Sequence, residues 1–235
     1  MKISYLFEFA DREPIRYELT LDGDSFLLEA PATDRLPDWT ALEFEQCPNC
    51  PLSSSQHSHC PVAKNLVPII TDWSDVISFD EVRLTVTNPD RTVTADTTAQ
   101  KGLSSLLGLV MATSACPHTT FFRPMAYFHL PLANQEETLI RATSSFLLVQ
   151  YFLSQSSGEH NLNLDELAKV YERIRVVNES LCKRIQSLNT RDASANAMVI
   201  LHLLSCVMPW SFDQSLEQVR NLFQPVIAML EEPTP

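Results

Sequence analysis

The chain has 235 residues, a formal net charge of −12, and 45% hydrophobic against 20% charged side chains. This is the balance of a packed globule and excludes a solvated, disordered chain. The acidity is spread, −8 over residues 1–132 and −4 over 133–235. Neither half therefore offers the basic face that phosphate binding needs, and no nucleic-acid partner is expected.

From the N-terminus, the segments 3–9 (ISYLFEF), 15–20 (IRYELT) and 25–29 (SFLLE) are short and rich in aromatic and branched residues. They are separated by the polar turns Asp11-Arg12-Glu13-Pro14 and Asp22-Gly23-Asp24, which is the pattern of a β-meander. The first of them is cut by Glu8 before it could serve as a secretory signal, so no export is expected and the cytoplasm is the default compartment. A fourth strand is predicted over Trp39 to Glu45. Two more follow at Glu81 to Thr87 and Arg91 to Thr97, around the turn Asn88-Pro89-Asp90. Between them Val62, Leu66, Ile69, Ile70 and Trp73 recur at helical spacing behind Pro61, with Pro68 expected to kink or shorten that helix. The prediction is a small antiparallel sheet of five or six strands.

From about residue 98 the apolar period changes from two to 3.6. Leu103, Leu106, Leu107 and Val110 predict a helix ending near Thr113. Asn134 and Glu137 form a capping pattern ahead of a helix carrying Leu139, Phe146, Val149 and Phe152 or Leu153. A loop is expected from Ser156 to His160. Asn163 and Glu166 repeat the capping pattern before the long amphipathic helix that carries Leu167, Val170, Ile174, Val177, Leu181, Ile185 and Leu188. Asp192 is placed to cap the next helix, whose segment Met198 to Leu204 is apolar nearly all round and is predicted to be central and buried. The whole apolar stretch, Met198 to Met208, carries His202 and is far shorter than the roughly 20 residues a membrane span needs. A last helix is expected from about Asp213 to Leu230, disturbed at Pro225. The fold class is thus α+β, an N-terminal small antiparallel sheet (1–132) followed by a C-terminal helical bundle (133–235) in one compact unit.

Six cysteines occur. Cys47, Cys50, Cys60 and Cys116 are each followed by proline, whereas Cys182 and Cys206 are not. With 15 prolines in 235 positions, four such pairs ask for a common cause. Metal ligation supplies one, because thiolates must be held converging and proline freezes the backbone beside them. Cys47-x-x-Cys50 has knuckle spacing, and Cys116 would arrive from beyond a hairpin and a helix. Four thiolates suit zinc in a closed structural site and an iron-sulfur cluster equally in ligand count. Cys-Pro pairs are familiar beside cluster ligands, and Cys-Pro-x-Cys also opens zinc knuckles. Buried free thiols, a redox pair Cys47/Cys50 and haem ligation stay open beside them. His57, His59 and above all His118 are candidates to replace one sulfur.

The aromatic run Phe121, Phe122, Tyr127 and Phe128 near Cys116 reads as core packing around the site, with a pocket or partner patch as the alternative. His202 and Cys206 share a helix face and form the spacing of a dyad, although a buried histidine beside an inert thiol gives the same pattern. Glu136-Glu137 and Glu231-Glu232 are helix-terminal charges. The four glycines, Gly23, Gly102, Gly108 and Gly158, form no phosphate-cradling loop, and no hydrolase or zinc-protease signature is present.

The segments CPNCPL, HCPVAKNL and TSACPHTTFFRPM, within residues 47–125, resemble those of a bacterial family of uncharacterised proteins. That resemblance implies no activity and carries over no catalytic residue. The residues themselves point to a metal-stabilised interaction or regulatory protein with a protein partner or a homo-oligomer, the long helix from Leu164 to Leu188 being the face offered for self-association. The competing expectation is an enzyme, either redox-active through a cluster or using an open zinc position at the same cysteines.

Overall fold

A computed structural model describes residues 1–29, 36–158, 161–188 and 190–231, with the side chains of 157 and 209–215 left aside. Four strands, β1 (Lys2–Phe9), β2 (Ile15–Thr20), β3 (Glu81–Thr87) and β4 (Thr92–Thr98), form one antiparallel sheet in the order β2-β1-β3-β4. Because side chains alternate along a strand, Ile3, Tyr5 and Phe7 of β1 and Val82, Leu84 and Val86 of β3 bury one face together. Registers such as Phe7 opposite Leu84 and Tyr5 opposite Val86 place these side chains in cross-strand pairs.

That face is covered by α1 (Pro61–Asp72) and α2 (Ala99–Ala112). Trp73, at the end of α1, meets the Phe7 ring edge-on at a centroid distance of 4.8 Å. Gly102 lets α2 approach closely, since a Cβ there would stand 3.0 Å from Phe7 Cε1. Pro68 lies inside α1 and does not end it.

The helical layer continues with a 3₁₀ turn at Pro117–Phe122, the short α3 (Arg123–Tyr127), α4 (Gln135–Ser157), α5 (Asp165–Gln186) and α6 (Ala193–Glu231). The predicted cap on α4 is present in both directions: Glu137 N–H donates to Asn134 Oδ1 at 2.9 Å, and Asn134 N–H donates to Glu137 Oε2 at 2.8 Å. Gly158, at φ 74°, closes the other end. Leu167, Ile174, Val177, Leu181 and Ile185 of α5 are buried, and α5 packs along α6. The α5 stripe that the sequence offered for self-association is therefore covered within the chain.

Several expectations are corrected. The sheet has four strands among the described residues, not five or six. Residues 25–29 contribute only an isolated bridge, Leu28 to Leu21, behind Phe26 in the left-handed region at φ 56°. Residues 39–45 begin as a 3₁₀ turn at Asp38–Thr40 and bridge only at Ala41 to His59. Their carbonyls are held by a side chain from α5, described below, in place of a neighbouring strand.

Asn163 and Glu166 form no capping box. Leu164 is the N-cap of α5, and Asn163, one residue ahead of it, accepts from Asp165 N–H through its Oδ1. The two predicted C-terminal helices are the single α6. Its Met198 to Leu204 segment is covered on one side only, with Met198 buried and Leu203 55% exposed. Of the loop expected over 156–160, residues 159 and 160 lie outside the described residues, as does Glu232.

The start of α6 is fastened to the turn that follows α1. The Asp192 carboxylate accepts from Ser78 N–H at 2.9 Å and Ser78 Oγ–H at 2.8 Å, and Arg191 N–H donates to Ser74 O. Asp192 thus occupies the cap position by its backbone, with its carbonyl accepting from Asn196 N–H, while its side chain serves a tertiary contact. Those donors hold the Asp192 carboxyl below the usual carboxylate range.

Candidate functional site

The four Cys-Pro pairs lie where the loop 36–60, the 3₁₀ turn at Pro117–Phe122 and α5 meet. Two of them have a local explanation that the sequence did not suggest. Cys60 is the N-cap of α1 and Cys116 the N-cap of the 3₁₀ turn, both extended (φ −65°, ψ 123° and φ −77°, ψ 127°), each with proline in the first turn. A residue before proline is held extended and proline is preorganised for the first turn, so Cys-Pro is a helix-start device at both places. At Cys47-Pro48-Asn49-Cys50 the proline sits second in a tight turn closed by Cys50 N–H donating to Cys47 O at 2.9 Å.

The thiols are electrostatic neighbours: a charge on Cys50 or Cys60 would act on Cys47, and one on Cys60 or Cys47 would act on Cys116. As they lie they do not form a closed shell, for among the described residues no three His, Cys, Asp or Glu side chains are grouped to hold an ion. All six cysteines are free thiols. Burial pushes Cys116 up to about 11, against the pull of the His118 and Thr119 amides. It also raises Cys47, against the Ser180 hydroxyl and the Arg184 charge. Without a metal these two are protonated and poorly nucleophilic.

Arg184 of α5 is the residue the sequence reading missed. It is 1% exposed. Its Nη1 donates to Trp39 O at 2.7 Å and Ala41 O at 2.8 Å, and its Nη2 to Leu42 O at 3.0 Å. No carboxylate among the described residues pairs with it. A buried cation bonded only to neutral carbonyls lacks a counter-charge, and the nearby group able to supply one is the thiol cluster, whose Cys47 feels the Arg184 charge. A signal was present in the sequence: Arg184 falls three residues after Leu181, on the apolar stripe of α5.

Of the three histidines, His118 bridges two of the Cys-Pro turns. Its Nε2–H donates to Asn49 O at 2.7 Å, tying the Cys116 turn to the Cys47–Cys50 turn. Asn49 Nδ2 donates in turn to Arg173 O on α5. His59 Nδ1 shares a 2.8 Å hydrogen bond with the Thr40 hydroxyl. His57 is exposed.

His202 and Cys206 do meet, with Nε2 to Sγ at 3.6 Å. His202 Nδ1, however, is buried without a partner, so no third group orients the imidazole as an activated nucleophile requires. In the aromatic run, Phe122 packs edge-on to Tyr171 at 5.5 Å, while Phe128 is 73% exposed.

A second feature is a surface. On α4, Leu148, Tyr151, Phe152 and Leu153 are each more than half exposed, and on α6 so are Leu203, Leu222, Val226, Met229 and Leu230. Residues 142–157 and 192–212 contain, apart from Asp192, no Asp, Glu, Lys or Arg. No helix among the described residues is long and apolar enough to cross a membrane.

A family model described as a domain of unknown function, DUF6901, matches residues 3–224, and the chain belongs to that family. No curated protein matches it. No solved structure does either.

Proposed function

We propose that this is an interaction protein that works as a homodimer through the neutral apolar face of α4 and α6, its frame fastened by a structural zinc ion at Cys47, Cys50, Cys60 and Cys116. The observation that carries the reading is the exposed apolar stripe itself. Soluble monomers rarely leave so many large apolar side chains open on two helices that touch. Leu222, Val226 and Met229 recur at the four-then-three spacing of a helix-pairing seam. Two chains of net charge −12 repel one another, and a face nearly free of charge is where a second copy meets least opposition.

The zinc reading is supported by Arg184. A four-thiolate zinc centre carries net charge −2, and a buried guanidinium beside it supplies compensation that carbonyls alone do not. Metal would displace the protons that burial now keeps on Cys47 and Cys116. An iron-sulfur cluster at the same residues, and with it a redox role, is the second outcome of the same test.

Elemental analysis and an absorption spectrum of the purified chain should give about one zinc per chain and no colour. Brown protein with iron would replace zinc by a cluster, and metal-free folded protein would remove the metal. Cys116→Ser should lose the metal, whereas Cys182→Ser should keep it. Sedimentation should show a dimer at tens of micromolar, and a monomer there would remove the dimer.

A further inference from the structure

A cavity of about 460 Å³ lies between α2, α3, the start of α4, α5 and α6, within the size range of small-molecule sites. Its middle is apolar, with Met111, Ile174, Leu201 and Leu204 among its lining residues. Two polar groups on its wall have needs the protein does not meet.

Asn178 is 3% exposed. Its Nδ2 donates to Leu201 O at 3.1 Å and Ser205 Oγ at 3.2 Å, and its Oδ1 is buried without a hydrogen-bond partner. A buried acceptor left unmade is costly and marks where a donor is missing.

Arg141 also lines the cavity. Its Nη2 donates to Met125 O and to Phe128 O, and among the described residues its guanidinium has no ion pair. Its near neighbours offset its charge only in part. His129 is held neutral by burial, well below its ordinary range. Burial raises the Tyr171 phenol, which stays protonated. Glu137, one turn back, acts on the guanidinium through its charge, but it is exposed, engaged in the α4 cap and makes no direct ion pair with it.

Tyr171, whose hydroxyl feels the Arg141 charge, and Ile174 and Asn178 lie on one face of α5 at spacings of three and four. The wall from the Arg141 end to Asn178 is therefore roughly 10 Å long. We infer that this cavity binds an elongated apolar monocarboxylate, its carboxylate on Arg141, its chain along Ile174, Leu201 and Leu204, and its far end, where it bears a hydroxyl, donating to Asn178 Oδ1. The pairing is charge-assisted at one end and satisfies the orphan acceptor at the other. It uses neither the thiol cluster nor the α4–α6 surface, so it stands or falls separately from them.

The test is calorimetric titration of the full chain with decanoate, 10-hydroxydecanoate, decanol and decyltrimethylammonium. Decanoate should bind saturably, at least tenfold tighter than decanol or the ammonium compound, and 10-hydroxydecanoate at least as tightly as decanoate. Arg141→Gln should weaken decanoate at least tenfold and leave decanol unchanged. Leu204→Trp, which fills the middle, should abolish binding. If that variant misfolds, the side-chain NMR signals of Arg141 Nε and Asn178 Nδ2 in the native protein serve instead, and both should shift on adding 10-hydroxydecanoate. No saturable binding, equal affinity for acid and alcohol, or unmoved Arg141 and Asn178 signals would overturn the assignment.

Discussion

The sheet with α1 and α2 differs from the pair α4 and α6 in how the apolar surface is closed. On the sheet side Ile3, Tyr5 and Phe7 of β1 and Val82, Leu84 and Val86 of β3 are buried within the same chain, down to a glycine that admits the Phe7 ring. On α4 and α6 the same kind of side chain faces outward, with Phe152 63% and Leu203 55% exposed. Periodicity records that a face is apolar. What covers it is a property of the whole assembly.

The sharpest break of the closed side is Arg184→Ala. It strands the carbonyls of Trp39, Ala41 and Leu42 in the interior, and a loss of about 3–5 kcal/mol of unfolding free energy is expected by denaturant titration. Loss below about 1 kcal/mol would mean that the loop re-satisfies itself.

Acid comes next. Burial first, and the Arg141 charge second, push His129 down to about 4 from the ordinary 6.5. With the folded value below the unfolded one, the unfolded chain binds the extra proton. The contribution is complete above about pH 6.5 and is lost as pH falls towards 4, amounting to up to about 3 kcal/mol. Melting curves across that window should show the slope in the native protein and a flatter one in His129→Gln.

Gly102→Ala sets a helix-propensity gain of about 1 kcal/mol against a Cβ 3.0 Å from the buried Phe7 ring. The clash should win, for a net loss of about 1 kcal/mol, and a gain would show that the sheet yields there.

On the open side, Phe152→Glu should move monomer stability by less than about 0.5 kcal/mol, because the side chain has little to lose inside the chain. It should nonetheless turn the dimer to monomer in sedimentation. The contrast between a silent melt and a changed mass is what separates an interface residue from a core residue.

Much of the frame was readable from the sequence where one local rule governed. Val82, Leu84 and Val86 alternate because one face of β3 is buried, and Asn134 with Glu137 caps α4 because both partners sit within four residues. The reading failed where a distant group decided. Residues 39–45 have strand-like composition, but their carbonyls point to a guanidinium more than 140 positions away. Asp192 reads as a cap by position, yet its carboxylate is taken by Ser78.

At the candidate site the pairing of cysteine with proline was legible. Its local cause at Cys60 and Cys116, the start of a helical turn, was not separable from a shared ligand set by spacing alone. Arg184 was written on the α5 stripe as a single charge among apolar residues. Only the fold shows what that charge faces.

The fastening of Asp192 and Arg191 to the turn at Ser74 and Ser78 sets the direction in which α6 leaves the sheet side. Its 39 residues span about 58 Å at the ordinary helical rise. A tilt of about 5° at that end would carry the far tip through about 5 Å, roughly one helical turn of displacement. The geometry of those four residues beside the sheet thus fixes, over that length, where the apolar tip with Met229 and Leu230 stands.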